Sequence, residues 1–507
     1  MRFYVTTPIY YVNDRPHIGH AYTTIAADIL ARHHRQRGEE TFFLTGVDEH
    51  ATKVWRAAEG RGLTVQEFVD DIAVAWRDLP PRLNAETDFF IRTTDEGHKA
   101  FVRDFLQRIY DAGDVYEDIY AGHYCVSCEE FKTEEELVDG RCPIHEIVAE
   151  WIEEKNYFFR LSKYQDQLLE LYDGGLVLPE FRRNEVRSFV AGGLHDFSIS
   201  RAGQPWGIPL PWDETQVAYV WADALVNYLS ALTYARPGED LRETFWPEVR
   251  HLVGKDIIRF HCVYWPAMLI SAGYTVPKQV FAHGWLLLDD QKISKSLGNA
   301  VDPLELIDVY GADAVRYWCT RAVSFGQDGN ATLAGIADRY ERELGNDLGN
   351  LLSRTTAMIA RYRGGTLPSG VRTSPEIAEA IAGVRDEVPA LIDAFDLTGA
   401  IDRIWLLVRE LNRYVTEKAP WTLAKDEANA AALDQVLHDL ADGLRAAAVA
   451  LWAYLPETAP QILDALGQPP SVSWDRVVPD ALEPADGVAA ATPLFPRIEA
   501  AAGADAA

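Results

Sequence analysis

The stretch Met1-Arg2-Phe3-Tyr4-Val5-Thr6-Thr7-Pro8-Ile9-Tyr10-Tyr11-Val12, followed by the loop Pro16-His17-Ile18-Gly19-His20 and the helical-looking Ala21 to His33, decides the fold class. A strand that feeds a tight loop and then a helix start places imidazole donors and the positive end of a helix dipole where a nucleotide phosphate can lie. Gly19 lets a purine or ribose approach the backbone, which a Cβ would block. Working outward, helix Ala21 to Gly38 is followed by a strand from Glu40 to Gly46 and by helices from Thr52 and Val65. Strand, crossover and strand in series argue for a parallel sheet that takes ligands at strand carboxyl ends. Asp48-Glu49-His50 follows such an end, where a carboxylate can pair with a substrate ammonium or simply cap a helix.

A second phosphate-friendly element stands past the middle of the chain, from Phe281-Ala282-His283-Gly284-Trp285 to Lys292-Ile293-Ser294-Lys295-Ser296-Leu297-Gly298-Asn299. The apolar run Trp285 to Leu288 is broken by Asp289-Asp290-Gln291, and a lysine- and serine-bearing loop follows. Ammonium groups supply charge, while hydroxyls and backbone N–H groups supply directed donors to oxygens that gain charge in a transition state. Either element alone reads better as a solvated turn or a pair of surface histidines. Both together, in this order, are a far rarer combination.

At these residues the chain resembles the class I aminoacyl-tRNA synthetases, whose paired signatures are HIGH and KMSKS, and more narrowly the methionyl-tRNA synthetases. The likeness runs from Met1 to Pro460 and includes Thr7-Pro8-Ile9-Tyr10-Tyr11-Val12-Asn13, Thr45-Gly46-Val47-Asp48-Glu49-His50, Val220-Trp221-Ala222-Asp223-Ala224-Leu225, Gly254-Lys255-Asp256-Ile257 and the KISKS loop. Ile293 stands where the family more often has Met, an exchange that conserves volume. The resemblance implies an enzyme that joins L-methionine to Mg-ATP, releasing pyrophosphate, and passes the methionyl group to initiator and elongator tRNA(Met). It assigns catalysis to His17, Gly19, His20, Lys292 and Lys295. To ATP it assigns His17, His20, Gly254, Asp256, Lys292, Ser294, Lys295 and Ser296. The methionine contacts it implies are Pro8, Ile9, Tyr11, Asp48, Trp221, Ala224, Leu225, Tyr228, Ile257 and His261, with Asp48 on the α-amino group. Core packing is the plainer explanation of Trp221, Ala224, Leu225 and Tyr228, which share one helix face at i, i+3, i+4 and i+7. Arg201 and Lys255 stay open between transition-state contacts and ordinary ion pairs.

Composition sets bounds on all of this. The chain has 507 residues, room for two to four domains, and carries a net charge of −29. A protein that grips nucleic acid over a broad face leans the other way, so RNA contact must be local. Five cysteines in so long a chain are no disulfide framework, and a reducing cytoplasm is expected. No signal peptide, membrane span or tandem repeat is legible, and neither a membrane nor DNA is an expected partner.

From Glu117 to Pro211 the pattern changes and reads as an insertion between two halves of one sheet domain. At its centre Cys125-Val126-Ser127-Cys128 and Cys142-Pro143-Ile144-His145 form C-x2-C-x13-C-x2-H, two knuckles that close a tetrahedron around one structural zinc ion. The expected architecture is therefore α/β: a Rossmann-type catalytic sheet (1–116 and 212–278) split by a zinc-knuckle insertion (117–211). The KISKS loop with a stem-contact region (279–338) comes next, then an α-helical bundle (339–468) and a tail (469–507) whose last dozen residues are expected to move. The bundle's basic runs, Arg354, Arg361 and Arg363, then Arg403, Arg409, Arg413 and Lys418, are the expected RNA footprint. Asn350, Arg354, Pro420 and Trp421 match the family positions that read the CAU anticodon, with Trp, Asn and Arg supplying stacking planes and donors. Many family members append an oligonucleotide-binding domain that dimerises; this chain stops short of one, so a monomer is expected. The alternatives are another class I synthetase, for cysteine or a branched aliphatic residue, and a non-catalytic RNA-binding descendant, for which intact HIGH and KISKS elements would have no use.

Overall fold

A computed structural model of the chain describes residues 1–126, 130–132, 134–143, 146–288, 291–292 and 301–498. The first strand forms as β1 (Arg2–Tyr11), and helix α1 (Ile18–Gln36) begins inside the histidine loop rather than after it. His17 writes that start. Its backbone is extended, its Nδ1 accepts the Gly19 N–H at 3.1 Å, and its own N–H donates to His20 Nδ1 at 3.1 Å. Two imidazoles thus do the work usually given to Ser and Glu in a reciprocal capping box.

Around β1 lie β2 (Glu40–Asp48), β3 (Phe89–Arg92), β4 (Val177–Leu178), β5 (Val249–Gly254) and β6 (Gln279–His283), in the order β3-β2-β1-β5-β6-β4 with every pairing parallel. Helices cover both faces, so the strands read as unbroken apolar runs such as the buried Phe42-Phe43-Leu44. The chain runs from β1 outward through β2 and β3, then returns through β5 on β1's other side. That reversal opens a crevice beyond the carboxyl ends of β1 and β5, the switch point where open parallel sheets take ligands. Tyr11, Asp48, Gly254 and His283 end the four strands around it.

Between β3 and β5 an antiparallel ribbon, Val115–Cys125 against Glu150–Phe159, leaves the main sheet. The 117–211 span is not all insertion, however. Val177–Leu178 returns from it to pair with Val280 and Phe281 at the far edge of the parallel sheet. Nor do Trp221, Ala224, Leu225 and Tyr228 sit on one continuous helix. Gln216–Ala218 pairs with Ser200–Ala202, and only then come the short helices Val220–Ala224 and Asn227–Ser230.

After β6 the chain forms a hairpin, Leu286–Leu288 with Gln291–Lys292, to which Gly329–Asn330 adds in parallel. Helices Pro303–Tyr310 and Ala312–Ala322 meet at Gly311, whose φ of +82° suits glycine and turns the chain between them. The C-terminal region is helical: Asn350–Arg363, Pro375–Asp393, Leu397–Lys418 and Ala430–Leu451 pack through apolar stripes, for example Ile401, Ile404, Trp405, Val408, Leu411 and Val415 on the third. Fully buried Arg316 ties this region to the sheet, donating to the carbonyls of Ala453, Tyr454 and Leu83 and pairing with Asp28 of α1 at 2.7 Å. From 469 to 498 the tail lies on the bundle, held where Arg445 donates to the Arg476 and Val478 carbonyls, Val488 N–H to Gly365 O, and Tyr340 Oη to Pro496 O. Of the last dozen residues, expected to move, 496–498 belong to this packed tail and 499–507 lie outside the described residues. Among the described residues no helix is long and apolar enough to cross a membrane.

Candidate active site

The two histidines of the first loop face each other, ring centroids 3.8 Å apart, both half-buried. Because each Nδ1 accepts a backbone N–H, each neutral ring carries its proton on Nε2 and presents that atom as a donor. Gly19 is needed for this fold-back itself, since a Cβ there would stand 2.9 Å from the His17 ring. Trp76, which sequence reasoning passed over, braces the loop. Its ring stacks on Tyr10 and meets His20 edge-on, and its Nε1 donates to Asp14 O at 3.0 Å.

The flanks of the second loop are bonded to the same helix. Ile18 N–H, the first residue of α1, donates to Val301 O at 3.0 Å, and Thr23 Oγ1, a turn further on, lies 3.0 Å from His283 Nε2. His283 Nδ1 donates to Gly284 O at 2.8 Å, so its Nε2 accepts the Thr23 hydroxyl, and burial lowers the ring's pKa and keeps it neutral. The end of β6, from which the hairpin and the lysine–serine loop follow, and the residue just after that loop therefore both touch the first two turns of α1. Lys292 is placed by backbone pairing with Leu287. Ser294, Lys295 and Ser296 lie outside the described residues.

Gly254 and Asp256 follow β5 at the crevice. A Cβ on Gly254 would fall 2.6 Å from Asp256 Oδ1, which accepts the Trp285 indole N–H at 3.1 Å. Lys255 pairs with Asp328 at 2.5 Å, and buried Arg201 donates to Ser198 Oγ and Ser200 O while lying over the Tyr219 ring. Both of these open residues are thus held by neighbours.

A cavity of about 20 Å3 opens at the carboxyl ends of β1 and β2, lined by Pro8, Ile9, Tyr11, Asp48, Trp221, Ala224, Leu225, Tyr228 and His261. Ile257 does not line it; its carbonyl instead accepts His261 Nδ1–H at 3.0 Å. Tyr228 Oη then donates to His261 Nε2 at 2.7 Å, and burial takes this histidine down to about 4, leaving a neutral ring on an apolar wall. The volume is that of roughly one water molecule, so anything larger enters only if the aromatic walls, including Trp221 stacked on Phe260 at 3.9 Å, move apart.

Beneath that wall sits a polar cluster that sequence reasoning missed. Asp223, 1% exposed, accepts from His50 Nδ1 at 2.6 Å and His98 Nε2 at 2.7 Å, and His98 Nδ1 lies 2.7 Å from Ser230 Oγ. Burial opposes ionisation of Asp223, but the charge and hydrogen bonds of His50 and the hydrogen bond of His98 outweigh it and hold the carboxyl below its usual range. His50 and Asp223 both lie within stretches already quoted; that they meet across 173 positions has no local signal.

Of the expected zinc ligands, Cys125 ends the ribbon strand and Cys142 opens a tight loop closed by Cys142 N–H to Ile147 O and Glu146 N–H to Cys142 O, and both thiols are fully buried. Cys128 and His145 lie outside the described residues, among which no group of three or more potential ligands forms a metal cluster. Asn350 and Arg354 are exposed one turn apart, Arg354 donating to Asn412 Oδ1 at 2.7 Å. Pro420 is buried, while Trp421 is 45% exposed at the end of Leu397–Lys418, beyond the left-handed Ala419. Three of the seven residues of the expected basic faces pair with acids: Arg363 with Asp434, Arg403 with Glu387, and Arg413 with Glu376, Glu410 and Glu417.

The family described as tRNA synthetases class I (M) matches residues 3–150 and 133–356. The methionine–tRNA ligase of Caldanaerobacter subterraneus is 43% identical over 504 residues, covering 98% of this chain and 79% of that protein. That of Streptomyces coelicolor is 43% identical over 528 residues, covering 98% and 97%. The crystal structure of Mycobacterium tuberculosis methionyl-tRNA synthetase bound by methionyl-adenylate superposes with a TM-score of 0.93 at 40% identity, covering 98% of this chain and all of that one. Its free-state form gives 0.86 at 38% identity, with 98% of each chain covered.

Proposed function

Because the chain belongs to the methionine branch of the class I tRNA synthetases, we propose that it activates L-methionine with ATP and passes the methionyl group to tRNA(Met). The substrate carboxylate is the nucleophile at the α-phosphorus, so catalysis consists of positioning and charge stabilisation. His17 and His20 offer Nε2–H donors at the start of a helix to phosphate oxygens as their charge grows. Lys292 and Lys295 hold the departing pyrophosphate from a loop that closes on ATP, with Ser294 and Ser296 as further donors. Gly254 and Asp256 take the nucleoside, and Mg2+ accompanies the triphosphate. Asp48 pairs with the α-ammonium, and the cavity walled by Ile9, Tyr11, Trp221, Tyr228 and His261 takes the thioether, a soft group that aromatic rings suit. The observation that carries this reading is the pair of contacts, Ile18 to Val301 and Thr23 to His283, that hold the chain just after the lysine–serine loop, and the sheet strand from which its hairpin springs, against the histidine helix.

The buried thiols of Cys125 and Cys142, on separate turns, suit a soft cation. With Cys128 and His145 they make a four-ligand set with no vacancy, so the ion is structural and keeps the insertion folded. The anticodon is read at the bundle by Asn350, Arg354, Pro420 and the exposed Trp421. The protein works in the cytoplasm, a reading supported by its buried free thiols Cys262 and Cys319, and it does so as a monomer. Pyrophosphate exchange into ATP, run with each of the twenty amino acids, tests the assignment. Methionine alone should drive it, and a different amino acid, or none, would overturn it.

A further inference from the structure

The strand Leu286–Leu288, which leads into the lysine–serine loop, is rooted at Gly284 and Trp285, and the root is gripped from several sides. A Cβ on Gly284 would fall 2.3 Å from the Gln327 carbonyl carbon, so two backbones cross there in contact. Trp285 N–H donates to Asp328 Oδ1 at 2.8 Å, and Trp285 O accepts Gly329 N–H at 3.1 Å. The other oxygen of Asp328 takes Lys255, whose ammonium also lies 4.1 Å above the Trp285 ring. One carboxylate thereby joins the nucleotide-side segment Gly254-Lys255-Asp256 to the residue that leads into the hairpin. The Lys255 pair is partly exposed, 20% and 40%, and pairs of that exposure contribute little, which leaves the bond to the backbone N–H as the contact that matters.

We propose that Asp328 is a positioning residue for adenylate formation: by accepting the Trp285 N–H it fixes the root of the strand Leu286–Leu288, and with it the paired strand Gln291–Lys292 that carries Lys292 into the lysine–serine loop. This rests on the function proposed above for that loop. Two substitutions separate the backbone bond from the charge. Asp328→Asn keeps an acceptor oxygen for Trp285 N–H and loses the ion pair, whereas Asp328→Ala loses both. In single-turnover adenylate formation at saturating ATP and methionine, the alanine variant should be slower by about tenfold or more, with methionine affinity within about twofold of wild type, and the asparagine variant within about threefold of wild-type rate. Amide exchange of the peptide Gly284–Leu288 should rise in the alanine variant only. An alanine variant as fast as wild type, an asparagine variant as slow as the alanine one, or a loss shared equally with methionine affinity would overturn the proposal. Should wild type show no methionine-dependent exchange of pyrophosphate, the functional reading fails by itself, and the amide exchange still decides whether Asp328 holds the root.

Discussion

Replacing Asp223 by asparagine is the most informative single perturbation of the cavity. The carboxylate is 1% exposed, and both oxygens are taken, by His50 and His98. An amide has one acceptor atom, so one histidine N–H must face an NH2 group with no water at hand. Breaking a buried pair of this kind costs about 3–5 kcal/mol, in line with losing one or two hydrogen bonds to a charged group. The loss should be local, because Val220–Ala224 carries both Asp223 and two cavity residues, Trp221 and Ala224. Native-state amide exchange of that helix should quicken about a hundredfold or more, and methionine should bind about tenfold more weakly. The pH dependence has a definite sign. The folded carboxyl titrates below its unfolded value, so its contribution is complete above about pH 4 and is lost as pH falls through the depressed folded value. The difference between wild type and Asp223→Asn should therefore narrow only below about pH 4. Unchanged exchange and unchanged methionine affinity at neutral pH would refute the reasoning.

Lys295→Ala should slow adenylate formation while leaving methionine affinity intact, because its contact matures as pyrophosphate leaves; pre-steady-state rates with the opposite pattern would contradict it. Trp421→Ala should weaken tRNA charging and spare pyrophosphate exchange, and equal losses in both assays would make the indole structural. Metal analysis should find one zinc per chain, and Cys125→Ser should lose it and loosen the ribbon Val115–Cys125 and Glu150–Phe159, as read by limited proteolysis. Metal-free, fully stable wild-type protein would end the knuckle assignment.

Much of the parallel sheet was legible because its strands are buried on both faces and separated by helical spacing. Even so, two features escaped. Val177–Leu178 is too short to carry a pattern, and only its pairing with Val280 and Phe281 makes it a sheet strand. The stripe from Trp221 to Tyr228 keeps helical spacing although two short helices divide it, since each turn still presents one apolar side. Most of the cavity lining followed from the quoted motifs, whereas Ile257 proved to act through its carbonyl on His261. Contacts between distant polar groups, Asp223 with His98 or Asp328 with Lys255, leave no trace in local composition, and the basic runs of the bundle gave no hint that acidic neighbours pair with Arg363, Arg403 and Arg413.

The central claim is that histidines near the start of the chain and lysines past its middle act on one triphosphate. A crystal structure with a non-hydrolysable ATP analogue and methionine tests it most directly. The account predicts His20 Nε2 and Lys295 Nζ within hydrogen-bonding distance of the same polyphosphate; a nucleotide bound with either side chain turned away onto another face would contradict it.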